Sequence, residues 1–325
     1  MDALSDLLRV VRLDAAYFYP VEAAEPWSVE SVGAEELAPR ILPGAEHLIA
    51  YHVLTKGRCF AGIVGEEQVE MLPGDVVIFP QGQATLMSSA RDLRGALSYT
   101  RAPARYPQTV LLGDDEGLRM TAFVCGFLGC DRRPFNPLLA ALPSVIHVRG
   151  MLDSWTGGFT RQLVEESRHR RAGSVTVLTR LAELMFIEVL RRYLSELPPG
   201  QSGWLAGLRD EAVGQALTLL HGRPAQNWTL ADLAREVASS RSNLSRRFTE
   251  LVGQPPMQYL TNWRMQVAAN LLLERGDKVA SIAGEVGYDS EAAFSRAFKR
   301  ATGLAPGAWR EARRHEPSAA VISAA

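Results

Sequence analysis

The chain is poor in cysteine, has no long apolar run and carries no catalytic signature, and each lack removes a class of protein. Its 325 residues include three cysteines, Cys59, Cys125 and Cys130. A low, odd count excludes a secreted scaffold held by disulfides and fits a reducing cytoplasm. The opening Met1-Asp2-Ala3-Leu4-Ser5-Asp6 lacks the basic-then-apolar order of a secretory leader. The most apolar stretch, Leu184–Leu190, is interrupted by Glu188 and too short to cross a bilayer, so no membrane partner is expected. Gly-x-Ser-x-Gly, a phosphate-cradling glycine loop and His-Glu-x-x-His are all missing, and His147 and His169 stand alone. Neither enzymatic activity nor a cofactor is expected.

What is present is ordinary globular composition, 47% hydrophobic and 22% charged, in a chain long enough for more than one core. The formal net charge of −1 hides a split. Residues 204–314 carry 15 Lys/Arg against 11 Asp/Glu, whereas residues 1–203 carry 20 against 24. A basic C-terminal part suits phosphate contact, although this excess is small.

Residues 17–130 read as short strands, among them Leu48–Leu54, Cys59–Val64, Val76–Phe79, Thr109–Leu112 and Met120–Phe127. Turns at Lys56-Gly57, Pro73-Gly74-Asp75, Pro80-Gln81-Gly82 and Gly113-Asp114-Asp115 separate them. The spacing predicts a sandwich or jelly-roll barrel. From 135 the period becomes helical. Pro137–Leu142 is a short helix, Asp153 or Ser154 caps a helix to Arg171, and Ser174 opens another to Leu197. Leu197-Pro198-Pro199-Gly200-Gln201-Ser202-Gly203 reads as a linker. The expected organisation is a β-domain over 1–135, a helical hairpin over 136–196 that dimerises or covers the β-domain, a linker over 197–203, a helical domain over 204–314 and a disordered tail over 315–325. The fold class is α+β, with two domains.

Two stretches about 50 residues apart repeat one pattern. Leu233–Phe248, with Gly253 and Pro256 after it, matches Ile282–Phe298, with Gly303 and Pro306 after it. Each predicts a short helix, a tight turn and a longer helix, the form of a helix-turn-helix that enters the major groove of double-stranded DNA. Thr229 caps the first helix with Asp232 answering, and Ser239 or Ser240 caps the next. Leu244 and Phe248 face inward, as do Phe294 and Phe298. Arg241, Ser242, Asn243, Ser245, Arg246 and Arg247 in the first unit, and Ser290, Glu291, Ser295, Arg296 and Lys299 in the second, are the candidate DNA contacts. Arginine suits guanine and serine suits a base edge or phosphate. Ala292 and Ala293 leave the second unit poorer in base-reading groups. Pro256–Glu274 forms one long helix that sets the spacing of the two units.

These residues resemble the C-terminal domain of AraC/XylS-type transcription regulators. The likeness runs through Trp228-Thr229-Leu230, Ala234, Ser240, Leu244, Arg246, Phe248, Gly253, Pro256, Tyr259 and Arg264. It continues through Ala283, Val286-Gly287-Tyr288, Phe294, Arg296-Ala297-Phe298, Gly303, Pro306 and Arg310. Ala238 departs from the glycine usual in the first turn. The resemblance implies promoter DNA as partner, with both recognition helices entering the groove.

Met71–Pro80, Leu138–Pro143 and Arg180–Phe186 resemble the cupin-type regulatory domain of one AraC subgroup. This implies an unidentified small-molecule or redox effector and a homodimer, with RNA polymerase a further partner of a promoter-bound regulator. A cupin metal site is not expected: His47 and His52 are five apart rather than His-x-His, and Gln83-Ala84-Thr85 stands where a further His commonly sits. His52 is expected to satisfy its hydrogen bonds in or beside the core. Cys125 and Cys130 flank Gly126-Phe127-Leu128-Gly129. A bend at either glycine would let them form a redox pair, aided by Arg132 and Arg133, and the other reading is two small buried hydrophobes. A constitutive DNA-binding dimer and a cupin enzyme fused to a DNA-binding domain remain as alternatives.

Overall fold

The structure, a computed structural model, describes residues 2–11, 13–42, 45–94, 98–99, 109–114, 116–130, 134–151, 157–169, 171–198, 200 and 202–314. The expected cap at Asp153 or Ser154, the pair Arg132 and Arg133, and the tail 315–325 lie outside them. In chain order the N-terminal elements are α1 (Ala3–Val10), β1 (Leu13–Ala24), β2 (Ser28–Ser31), α2 (Ala34–Ile41), β3 (His47–Lys56), β4 (Cys59–Ile63), β5 (Val69–Met71), β6 (Val76–Phe79), β7 (Thr85–Ser88), β8 (Ser98–Tyr99), β9 (Val110–Leu112) and β10 (Arg119–Cys130). Then come α3 (Pro137–Ala141), β11 (Ile146–Val148), α4 (Gly157–Arg168) and α5 (Ser174–Glu196). The chain continues as α6 (Trp204–Arg209), α7 (Glu211–Gly222), α8 (Leu230–Glu236), α9 (Arg241–Val252), α10 (Pro256–Glu274), α11 (Val279–Glu285), α12 (Glu291–Thr302) and α13 (Pro306–Arg314).

Contacts divide the molecule into a β unit and a helical unit. Among the described residues, the β unit holds 13–130 and 142–196, and the helical unit holds 2–11, 134–141 and 197–314. This differs from the organisation expected along the sequence. Helices α1 and α3, assigned there to a β-domain and a hairpin, group with the helical unit. Their partners lie far along the chain, beyond the reach of local patterning.

In the β unit the described residues form two sheets, ordered β11-β6-β3-β10-β1-β9 and β5-β4-β7-β2-β8. The first is buried on both faces, because its strands alternate between two apolar sets. Tyr19, Val21, Phe123, Cys125, Phe127, Val77 and Phe79 point toward the second sheet and share one core with Trp27, Ala61, Met71 and Met87. Trp27 stacks on Phe123 with ring centroids 5.4 Å apart. Phe18 and Tyr51 occupy the other face, edge-to-face at 5.5 Å. Gly126 lies beneath them, where a Cβ would stand 2.1 Å from Phe18 Cε1. On this face Tyr51 donates to the Met185 sulfur of α5 at 3.0 Å. Leu178, Ala182, Met185, Phe186 and Val189 of α5 are fully or nearly fully buried. The predicted turn at Pro73-Gly74-Asp75 enters β6. The buried Asp75 carboxylate accepts from the backbone N–H groups of Leu72 and Gly150 at 3.0 Å each, and lies 3.1 Å from His147 Nε2.

In the helical unit, α10 is 19 residues, about 28 Å long, and is buried on several sides through Tyr259, Leu260, Trp263, Met265, Ala268 and Leu272. Against it, His221 of α7 stacks on Trp263 at 3.8 Å, with the rings 4° from parallel. Trp204 Nε1 donates to Tyr259 Oη at 2.8 Å, and Tyr259 Oη lies 2.7 Å from His221 Nε2. The remaining nitrogen, Nδ1, meets the Ala3 carbonyl of α1 at 3.2 Å. Phe135 adds an edge contact to Tyr259 at 5.3 Å, and its N–H donates to the buried Gln266 side chain at 2.9 Å. The helical unit is therefore closed by three separate pieces of chain.

Candidate nucleic-acid interface and barrel cavity

Both helix-turn-helix units form as the sequence predicts, by the same local chemistry. Thr229 Oγ1 accepts from the Asp232 N–H at 3.1 Å, and the Asp232 carboxylate takes the Thr229 hydroxyl in return at 2.6 Å. That hydrogen bond leads the causes that hold the carboxyl of Asp232 below its usual range. Ser240, rather than Ser239, caps α9 by accepting from Asn243 N–H at 3.2 Å, and Ser290 caps α12 through Ala293 N–H at 3.3 Å. Gly253 and Gly303 end these helices at φ 81° and 82°, the left-handed region that suits glycine. Leu244 and Phe248 are fully buried, as are Phe294 and Phe298, and each such side chain contributes about 1.5–3 kcal/mol by leaving water.

Arginines then brace each unit from behind. Arg264 of α10 donates to the carbonyls of Pro224 and Gln226 at 2.7 and 2.9 Å. Arg310 of α13 donates to Leu272 and Asp277 carbonyls at 3.1 and 2.6 Å. Each fastens the segment that leads into its own unit. Arg264 and Arg310 thus have structural work, which their motif positions alone do not reveal.

The candidate contacts do not form one equivalent set. Arg241, Ser242, Asn243 and Arg246 are exposed on α9, and Ser245 is half-buried. Arg246 is aligned along its helix by Glu250 at 2.7 Å and Asn243 at 3.2 Å. Arg247 turns away from that face: its Nε donates to Asp210 at 2.9 Å, and Asp210 also caps α7 through Val213 N–H at 3.0 Å. It is a brace between α9 and α7, because its position lies next to the core rather than opposite it. On α12, Ser290, Glu291, Arg296 and Lys299 are exposed and Ser295 is half-buried. Arg241 and Arg296 make no side-chain hydrogen bond or ion pair among the described residues.

The second feature is a cavity of about 40 Å³ between the sheets of the β unit. Its wall includes Val21, Leu37, His52, Met87, Leu112 and Cys125. His47 and His52 do not converge there. His47 Nε2 lies 2.7 Å from the Pro80 carbonyl, while His52 Nδ1 lies 2.9 Å from Cys125 Sγ. An offset of five along β3 sends them to opposite faces. His52 satisfies its expected hydrogen bonding only by half, because Nε2 is buried without a partner.

The redox pair of Cys125 and Cys130 is corrected by the strand that carries it. β10 runs without a bulge from Cys125, opposite His52, to Cys130, opposite His47. Five residues of extended strand set the two Cα atoms about 16 Å apart and send the side chains to opposite faces, and the continuous pairing shows that the glycines between them make no bend. All three cysteines are buried, and none is joined in a disulfide. Burial pushes the Cys125 thiol up, and Cys59 up to about 12, with the Asp75 charge adding to the latter. That is the reverse of a reactive thiolate.

Among the described residues no helix is long and apolar enough to cross a membrane. The Cupin family model matches residues 2–195, and a Helix-turn-helix domain model matches residues 233–312. An AraC-like transcription regulator of Streptomyces lividans is 34% identical over 323 residues, covering 96% of this chain and 98% of that one. Another, of Streptomyces antibioticus, is 33% identical and covers 96% and 99%. The HTH-type transcriptional regulator AlkR of Acinetobacter baylyi is 28% identical over 324 residues, again covering 96% and 99%. With an N-terminal cupin domain, two capped helix-turn-helix units and relatives matched end to end, the chain belongs to the AraC-like transcription regulators, which bind DNA.

Proposed function

We propose that this regulator reads double-stranded promoter DNA with the outward faces of α9 and α12, and that a small molecule in the cavity of the β unit controls it. Arg241, Ser242, Asn243, Ser245 and Arg246 read bases and phosphates from α9. Ser290, Glu291, Ser295, Arg296 and Lys299 on α12 grip chiefly the backbone, since Ala292 and Ala293 stand where base contacts would be. The observation that carries this reading is the matched capping of the two helices. Ser240 and Ser290 each take one first-turn N–H and are themselves exposed at the positive ends of their helices, where phosphate contact is favoured.

We further propose a cytoplasmic homodimer that acts on RNA polymerase at the promoter. Val177 and Leu184 on α5, seven residues apart and exposed at 39% and 48%, support pairing through that helix. Selection of bound duplexes from random DNA tests the first proposal. A consensus with two half-sites about one helical turn apart is expected, and binding that stays proportional to length and indifferent to sequence would overturn it. Sedimentation of the chain and its Leu184→Glu variant tests the second.

A further inference from the structure

The cavity of the β unit is lined by a buried ring nitrogen with no hydrogen-bond partner. His52 is 6% exposed and its Nε2 has no partner. The ring is fixed, with its edges or face against Phe79 at 5.9 Å and Phe123 at 6.5 Å, so it does not swing to find one. The aliphatic hydroxyls on the wall are already used by each other: Ser31 Oγ and Thr85 Oγ1 are 2.6 Å apart, and the Thr85 N–H donates to Ser31 Oγ at 3.2 Å. No Lys or Arg lines the cavity among the described residues. Buried polar atoms of this kind are rare and call for an explanation.

The protonation of Nε2 follows from its neighbours. Cys125 Sγ stands 2.9 Å from His52 Nδ1 and is also hydrogen-bonded by the Tyr19 side chain. A phenol hydroxyl is a far stronger donor than a thiol. The sulfur therefore accepts from Tyr19. Its own hydrogen directed at Nδ1 pairs both groups and leaves one polar site unmet, whereas a hydrogen on Nδ1 would leave the thiol hydrogen and the Nε2 lone pair both unmet there. Burial keeps the imidazole neutral, with its pKa pushed down to about 4. The single ring hydrogen then sits on Nε2.

We infer that the ligand of this cavity is a small apolar molecule bearing one hydrogen-bond acceptor, a carbonyl or ether oxygen, that takes the Nε2–H of His52. Its apolar body lies against Val21, Met87, Leu112 and Phe127. A carboxylate does not suit the site, because a neutral imidazole and an apolar wall leave its charge unpaired. A cavity of about 40 Å³ admits a few heavy atoms, against about 150 Å³ for an apolar cavity that takes benzene. A ligand of five heavy atoms such as butanone requires the wall to yield, and Leu37 and Ile41 are the part of that wall contributed by α2. This inference rests on the cavity being the effector site, and it names the chemistry that the site selects.

The test uses the full chain with ¹⁵N-labelled histidine and methyl-labelled Met and Leu, titrated with butanone and with 2-methylbut-1-ene, its hydrocarbon isostere. The expected result is a proton on His52 Nε2 whose resonance moves with butanone and not with the alkene. The affinity of butanone relative to the alkene should fall about tenfold in His52→Phe, the loss of one buried hydrogen bond. Should that variant not fold, the wild-type resonances decide alone. A proton on Nδ1 overturns the inference. Equal response of the His52 resonance to both probes, while Met87 and Leu112 report occupancy, also overturns it and leaves the effector cavity standing. If neither probe moves Met87 or Leu112, the inference and the effector reading of the cavity fall together.

Discussion

The two helix-turn-helix units have the same caps and cores, yet they differ in how tightly their turns are held and in what they present outward. In the first, the turn passes through Ala238 at φ 49°, a conformation that strains a residue with a Cβ. In the second it passes through Gly287 at φ 82°, where an added Cβ would stand 2.6 Å from the Ala225 carbonyl oxygen. The first is backed by the His221, Trp263 and Tyr259 stack, and the second by Phe294, Phe298 and Trp309, with Arg313 3.7 Å over Trp309. Arg241, Ser242 and Asn243 on one outer face correspond to Glu291, Ala292 and Ala293 on the other. Burial and capping hold both units to one backbone, whereas nothing in the packing constrains the outward residues, and there they differ.

The largest way to break this comparison is Gly287→Ala. Left-handed backbone and a clash with Ala225 together should cost about 3 kcal/mol in urea unfolding, and a loss below about 1 kcal/mol would mean that the 223–228 segment yields. Arg246→Ala comes next, with about 2 kcal/mol expected at a selected operator and a smaller loss on random duplex. Arg296→Ala should weaken both equally, and a selective loss there would make the second unit a base reader.

Acid should distinguish the two cores more gently. His221 is kept neutral by burial, its pKa pushed down to about 3, while the unfolded chain binds that proton near pH 6.5. Its contribution is therefore complete above about pH 6.5 and is lost as pH falls toward 3, at about 1.4 kcal/mol per unit. Hydrogen exchange at about pH 7 and 5.5 should show α7 and α10 losing protection more than α12. The smallest effect expected is a gain: Ala238→Gly relieves the first turn, offset by glycine's extra freedom when unfolded, for a net of about 0.5 kcal/mol in the same urea assay.

How much of this was legible in the sequence depended on distance along the chain. Ser240, Gly253, Ser290 and Gly303 announce helix ends through groups three or four residues away, and the repeat made both units readable. Strand alternation likewise revealed the barrel. What was missed depends on partners that no local pattern brings together. His52 reads as an ordinary core histidine until β3 is set beside β10, 73 residues away at Cys125. The cysteine pair failed for a related reason, since Gly126 serves the Phe18 and Tyr51 rings rather than a bend. Arg247 is exposed as its composition suggests, and its partner Asp210, 37 residues away, is what the local pattern did not reveal.

The bond from His221 to the Ala3 carbonyl spans 218 residues, and it fixes an order of assembly. During synthesis α1 leaves the ribosome about two hundred residues ahead of α7, with the β unit emerging between them. Until α7 emerges, α1 lacks the partner that His221 provides in the finished protein. The apolar face of α1, with Ala3 and Leu7 buried in the finished protein, stays open to water and to chaperones throughout. Contacts so far apart along the chain wait on loop closure, and the stack of His221, Tyr259 and Trp263 behind the first helix-turn-helix unit is complete only once α1, α7 and α10 have all emerged.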